Sequence, residues 1–335
     1  MEIIRQRAYA RAGLIGNPSD AYNGKVIAVI VKNFYAQATL YEWDRLEIVP
    51  SDNDESVFRS LDELTQDVRI HGYYGGMRLV KAAIFGFAEY CKGRGLSLHK
   101  RNFSIRYETS IPRQVGLAGS SAIITATLRV LSSFYQIEIP KAVFPSLVLL
   151  IEREQLGIPA GLQDRVAQVY EGCTMMNFSE EAMITEDGFR RGIYEKIPVM
   201  LLPPLYVAYS PDCGEPTEVF HNNLRFRYDS GEPAVVEAMK QFADLSVQFR
   251  QALLEKRIQD LPPLMDANFD LRRSICKLPK EQIQMVETAR ACGVCAKFAG
   301  SGGAVVGIYS NETAFTKLES AMKQINCETV KVICG

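Results

Sequence analysis

The chemistry open to this chain starts from a few carboxylates and a loop of small residues. The run I-E-R-E-Q-L-G-I-P-A-G-L-Q-D-R at 151–165 carries Glu152 and Glu154 near the end of an apolar-periodic stretch, and Asp164 after a Gly-rich turn. Upstream, P-R-Q-V-G-L-A-G-S-S-A at 112–122 joins a strand-like run, F-S-I-R-Y-E at 103–108, to a helix-like one, I-I-T-A-T-L-R-V-L at 123–131. Backbone N–H groups and the positive end of a helix dipole would converge there, which suits a phosphate. The same residues also read as an ordinary Ser-capped helix after a glycine turn. A Walker A loop is excluded because the single G-K pair, Gly24-Lys25, is followed by Val26. A Rossmann loop is excluded because this one offers only G-x-x-G. Without a lysine in the loop, positive charge must come from elsewhere.

Phosphoryl transfer to a hydroxyl needs a metal that bridges the phosphates and a carboxylate that takes or orients the proton. The Ser121 hydroxyl and a carboxylate from the helix expected over 141–156 are hard oxygens of the kind magnesium takes. Beside these stand plainer readings: Glu152 as a solvated helix-end charge and Asp164 as a helix cap. A third stretch, K-F-A-G-S-G-G-A-V-V-G-I-Y at 297–309, reads as a hairpin whose glycines exceed what a turn needs. That excess points to backbone packed against a ligand or another loop.

These residues need elements to hold them. Residues 9–16 and 25–41 read as strands, separated by the turn-forming G-N-P-S-D-A-Y-N-G. Residues 75–92 read as a helix, with Met77, Val80, Ala83, Ile84 and Phe87 on one face. The helix over 141–156 should stop at Gly157-Ile158-Pro159. After short strands and turns over 172–204, the second half reads strand 205–210, helices 234–257, 263–276 and 281–292, strands 295–299 and 303–309, helix 313–325 and strand 327–333. Its last part is one strand short of a split βαβ layout with helices on one face of an antiparallel sheet. At 335 residues the chain exceeds one typical core, so two domains are expected, divided near L-L-P-P at 201–204.

Composition narrows the class. The net charge is −1, from 38 basic and 39 acidic residues, so nothing draws the chain at long range to nucleic acid or an anionic membrane. The run S-L-V-L-L-I at 146–151 is too short to span a bilayer, and the first residues lack the apolar segment of a signal peptide. Eight cysteines, mostly in apolar or helical surroundings, fit reduced thiols of a cytoplasmic protein. Cys292 and Cys295 form one lone C-x-x-C, and His71, His99 and His221 stand at no zinc-ligand spacing from it.

Three small-residue loops in this order resemble the superfamily of galactokinase, homoserine kinase, mevalonate kinase and phosphomevalonate kinase (GHMP). They are A-R-A-G-L-I-G-N-P-S-D-A-Y-N-G at 10–24, P-R-Q-V-G-L-A-G-S-S-A at 112–122 and K-F-A-G-S-G-G-A-V-V at 297–306. More narrowly, G-Y-Y-G-G-M-R-L at 72–79, G-L-Q-D-R-V-A-Q-V-Y at 161–170 and N-F-D-L-R-R at 268–273 are similar to the plant-type glucuronokinases.

The resemblance implies an α+β, two-domain GHMP kinase fold. An N-terminal domain over 1–200, like ribosomal protein S5 domain 2, would bind ATP and carry catalysis, and a ferredoxin-like domain would cover 201–335. The implied reaction is ATP-dependent phosphorylation of D-glucuronate at its anomeric hydroxyl, with ATP and Mg²⁺ as cofactors and no nucleic-acid or membrane partner. Phosphates would lie on Val115, Gly116, Leu117, Ala118, Gly119, Ser120, Ser121 and Ala122. Ser121 and Glu152 would hold Mg²⁺, with Glu154 competing for that place. Asp164 would be catalytic with Arg11 beside it. Asp20 would hold sugar hydroxyls, with Asn17, Gly161, Gly300, Ser301 and Gly302 completing the substrate site. The first motif departs from galactokinase in having Asn17-Pro18 where Glu-His is usual, and one extra residue, Ala21. A uronate also needs a cation for its carboxylate, and Arg78, Arg113, Arg165, Arg272 and Arg273 are the candidates. A kinase for galacturonate, a neutral sugar or mevalonate, or a silent kinase-like sensor, stays open beside this reading.

Overall fold

The computed structural model describes residues 2–50, 75–211 and 224–335. His71, His221, residues 72–74 of the G-Y-Y-G-G stretch and part of the polar connection after 210 lie outside these.

The first sheet grows from two long strands, β1 (Ile3–Ile15) and β2 (Lys25–Trp43), paired antiparallel. On its other edge β2 pairs through residues 36–43 with β4 (Asn102–Thr109) and through residues 25–29 with β5 (Cys173–Asn177). The short β3 (Glu47–Val49) lies parallel to β4, and β8 (Ile193–Ile197) extends the sheet beyond β5. β6 (Ile184–Glu186) and β7 (Phe189–Arg191) form a separate hairpin. Early in β1 burial is partial, whereas every residue from Ala10 onward is buried. That is the signature of a strand covered on both faces. Register shifts at Tyr9/Ala10 and Gly13/Ile15 bracket this buried half, as bulges do when they re-aim side chains beside a site.

Helices α1 (Gly76–Gly93), α2 (Gly119–Tyr135), α3 (Phe144–Leu150) and α4 (Gln163–Tyr170) go with this sheet. The helix expected over 141–156 is shorter and less regular: α3 starts at Phe144, with Pro145 in its first turn, and Ile151–Gln155 wind as a π-helix. Pro pre-sets the backbone for a helix start, and the wider π turn is a common device at functional sites. Here it turns the adjacent Ile151 and Glu152 both inward. Ile151 packs so closely on Gly86 of α1 that a Cβ at Gly86 would overlap it.

The chain then leaves this sheet. β9 (Leu205–Tyr209) is a central strand of a second antiparallel sheet, ordered β10-β11-β9-β12, with β10 (Lys297–Phe298), β11 (Ala304–Ile308) and β12 (Glu328–Lys331). Between β9 and β10 run α5 (Pro233–Leu254), α6 (Leu261–Ile275) and α7 (Lys280–Ala291), and α8 (Glu312–Gln324) precedes β12. The strand that the split βαβ pattern lacked is therefore β9, separated from β10 and β11 by a helical stretch that includes α5, α6 and α7. A second apolar core forms here, with Phe298, Val305 and Tyr206 meeting Val286, Leu318 and Met322. The fold is α+β. No helix among the described residues is long and apolar enough to cross a membrane.

Candidate active site

The loop from β4 to α2 is shaped by its backbone. Gln114, Gly116 and Ala118 all have positive φ, so left-handed residues alternate with ordinary ones. Such alternation turns successive N–H groups to one side, the geometry of anion-binding nests. The carbonyls confirm the direction. Gly116 O accepts from Arg11, Leu117 O from the Arg11 backbone N–H, and Ala118 O from Gln168 of α4. In a planar trans peptide the following N–H points the opposite way, so those of Leu117, Ala118 and Gly119 face away from these donors. The reading of an ordinary Ser-capped helix does not hold. The N-cap is Ala118, without a side-chain cap, and Ser121 Oγ donates back to Ala118 O. A non-glycine residue in this conformation costs about 1–2 kcal/mol, the kind of strain found where a loop serves a ligand.

Arg11, buried on β1, ties the three small-residue loops together. Its Nε and Nη2 both lie 2.6 Å from Asp164 Oδ1, and its Nη1 donates to Gly116 O at 2.6 Å and Ala299 O at 3.1 Å. Asp164, in the first turn of α4 and still partly open to solvent, also meets Arg165 Nη1 at 3.3 Å. The N-cap position of that helix is Leu162. Arg165 in turn grips Glu152 Oε2 through Nε and Nη2 and donates to Gly161 O.

Glu152 is fully buried, which corrects the reading of a solvated helix-end charge, while Glu154 is exposed. Burial pushes the Glu152 carboxyl's pKa up, and Arg165 opposes the shift. Its second oxygen, Oε1, is buried without a hydrogen-bond partner. Ser121 and Glu152 share no hydrogen bond: the hydroxyl goes to Ala118 and the carboxylate to Arg165.

Asp20 sits in a 3₁₀ turn, Ser19–Tyr22, with its Oδ2 against Gly161, where a Cβ would come within 2.8 Å. Burial raises its pKa to about 7, Asp164 adds to the shift, and Arg11 and Arg165 oppose it. Asn17 is buried. Its Oδ1 accepts from Lys297 Nζ at 2.7 Å and its carbonyl from Asn268 at 3.2 Å.

The third loop interlocks with the phosphate-type loop. A Cβ at Gly300 would overlap Gly116 O, and one at Gly116 would come within 2.9 Å of Ser301 N and Gly302 O. Gly302 abuts the Gln282 side chain, and Gly303 lies over Val115. Leu117 and Ala122 are core residues. The surplus glycine of G-S-G-G thus serves backbone packed against another loop.

The arginine candidates separate. Arg165 and Arg272 are buried, and Arg272 donates to Gly300 O at 2.7 Å and Ser301 O at 2.9 Å. Burial lowers the Arg272 pKa to about 10. Arg273 pairs with Glu287 at an exposed site, Arg113 is exposed, and Arg78 is half-buried in the first turn of α1. Sequence reasoning missed Lys297, Asn268 and Gln168. Each lies inside a quoted stretch, yet only long-range contacts show what it touches.

The family model for the GHMP kinases N terminal domain matches residues 78–172. Glucuronokinase 1 of Arabidopsis thaliana is 44% identical over 310 residues, covering 90% of this chain and 84% of that one. Probable glucuronokinase 2 of the same plant is 45% identical over 312 residues, covering 91% and 84%. The solved structure of Lactococcus lactis galactokinase complexed with galactose superposes with a TM-score of 0.77 at 16% identity, covering 100% of this chain and 94% of that one. For Methanococcus jannaschii mevalonate kinase the TM-score is 0.74 at 19% identity, covering 100% and 98%. At such identities the superpositions speak for the fold, while the Arabidopsis relatives cover enough of both chains to place this one: it belongs to the GHMP kinases, in the glucuronokinase family.

Proposed function

We propose that the chain phosphorylates D-glucuronate at its anomeric hydroxyl with ATP, giving glucuronate 1-phosphate and ADP. The observation that carries this reading is Arg11, whose one guanidinium reaches Asp164, the Gly116 carbonyl and the Ala299 carbonyl. It brings a carboxylate base to the foot of an anion-shaped loop. The Arabidopsis relatives supply the acceptor's identity.

In this reading the N–H groups of Leu117, Ala118 and Gly119, with the α2 dipole, hold the phosphates of ATP. Asp164 takes the proton of the anomeric hydroxyl as its oxygen forms a bond to the γ-phosphorus and the bond to ADP breaks. Arg11 and Arg165 hold Asp164 from two sides and offset charge that develops at the transferring group. Asp20 and Asn17 orient the sugar. The uronate carboxylate meets an environment rich in buried cations, since Arg11 and Arg165 act on Asp20, and Asp20 acts on Arg272.

Magnesium fits these residues in one observed respect: Glu152 Oε1 is a buried carboxylate oxygen without a hydrogen-bond partner. Ser121 and Glu152 would hold the ion, which would neutralise phosphate charge. A cytoplasmic setting accords with cysteines that are all free among the described residues.

The test is ADP release with ATP and a panel of glucuronate, galacturonate, glucose, galactose and mevalonate. Glucuronate should give the highest kcat/KM, and a neutral sugar turned over as well as glucuronate would overturn the reading.

A further inference from the structure

Lys297, on β10, is fully buried, and none of its partners is a carboxylate. Its Nζ donates to Gly13 O at 2.6 Å, Asn17 Oδ1 at 2.7 Å and Phe298 O at 2.7 Å. All three acceptors are neutral oxygens that cannot donate, so satisfying them takes three N–H bonds, which only the ammonium form has. Burial pushes the Lys297 pKa well down, with Arg272 and Arg11 adding to the shift, so holding the charge there is costly. An apolar side chain of the same volume would leave these three oxygens without that donor. What the ammonium adds is direction.

A carboxamide presents an acceptor and a donor of almost the same shape, and a neighbouring N–H selects between its two orientations. With Oδ1 committed to Lys297, the Asn17 N–H₂ must face the other way, and among the described residues it donates to no protein acceptor. Its backbone is fixed as well, because Asn268 takes the Asn17 carbonyl and accepts from Gly16 N–H at 2.7 Å. A second donor stands close by. Gln163 Nε2, buried and without an acceptor, lies 2.7 Å from where a Gly13 Cβ would be, and Asn17 Cγ lies 3.2 Å from the same point. Gln163 immediately precedes Asp164. Two amide groups whose N–H₂ has no protein acceptor among the described residues thus lie near one point, the place a Gly13 Cβ would take.

We infer that Lys297 is a positioning residue of the acceptor site: it holds the Asn17 carboxamide so that the N–H₂ donates to an oxygen of the bound sugar acid. The inference rests on the acceptor reading given above. It also gives a physical reason for Asn17 in the first motif, where a side chain that could only accept would repel an anionic substrate.

Two variants test it through steady-state kinetics and melting temperature. Asn17→Asp keeps the shape, turns the donor into an acceptor and offers Lys297 a carboxylate. It should melt no lower than wild type, yet raise the KM for glucuronate more than about tenfold while moving the KM for ATP less than about twofold. Lys297→Met should give the same split between the two KM values. If that variant does not fold, Asn17→Asp decides alone. A glucuronate KM within about twofold of wild type in Asn17→Asp, or parallel shifts for glucuronate and ATP, would overturn the inference. Wild-type protein without glucuronate turnover would instead defeat the acceptor reading, and this inference with it.

Discussion

Asp164 lies between two guanidinium groups and keeps part of its surface open, which is what a base on an incoming hydroxyl requires. Replacing it tests that role, since a positioned base is worth on the order of 10²–10⁴-fold in rate. Asp164→Asn should lower kcat by that range and leave ATP affinity near wild type; unchanged turnover would move the base elsewhere. Glu152 and Glu154 differ more sharply than their spacing suggests, one sealed against Arg165 and the other in solvent. Glu152→Gln should abolish activity and cost about 3–5 kcal/mol, because it breaks a buried ion pair and strands Arg165. Glu154→Gln should do neither, and denaturant unfolding beside turnover separates the two. Asp20 has a folded pKa of about 7, above the ordinary 3.8, so the folded state binds its proton more tightly than the unfolded chain does. Its contribution to stability is full below the ordinary value and is lost as pH rises through about 7. Melting temperatures of wild type should therefore fall more steeply across that window than those of Asp20→Asn. Equal slopes would contradict the assignment.

At the scale of elements, the site depends on two loops that touch backbone to backbone. The third loop reaches Gly116 only because Gly300 has no Cβ, and Arg272 holds its carbonyls from behind. Gly300→Ala should push the loops apart and loosen Arg11, lowering kcat at least about tenfold and reducing thermal stability. A variant with wild-type kcat and melting temperature would show that the interlock does not matter. Much of this arrangement was legible in the sequence. Glycine, proline and serine mark loops by local backbone chemistry, so the three loops, the strands at 25–41 and 103–108 and most helices fall close to where the spacing puts them. The π turn after α3 was not legible, because Ile151 and Glu152 turn inward to meet Gly86 and Arg165, both distant in sequence or set by the fold. Nor was the uncapped helix start, since Ser120-Ser121 look locally like caps while Ala118 takes that position. Lys297 reads as a strand residue and is one, but two of its acceptors, Gly13 and Asn17, come from the distant first motif.

For the molecule as a whole, the second sheet is what completes the first. β1 brings Arg11 and Asn17 follows it, while β10 and its hairpin loop bring Lys297, Ala299 and Gly300 to meet them. We propose the division at residue 200, with 1–200 carrying the phosphate loop and base and 201–335 supplying this buttress. A net charge of −1 gives no long-range attraction for an anionic sugar, so we expect recognition to be local to the site and rates to depend weakly on distant surface charge. The bond that forms can be read by phosphorus and proton magnetic resonance of the product made from glucuronate and ATP. We expect a phosphate coupled to the anomeric proton, with ADP released in equal amount; a phosphate on any other hydroxyl, or ADP released with no phosphorylated sugar, would overturn the proposed function.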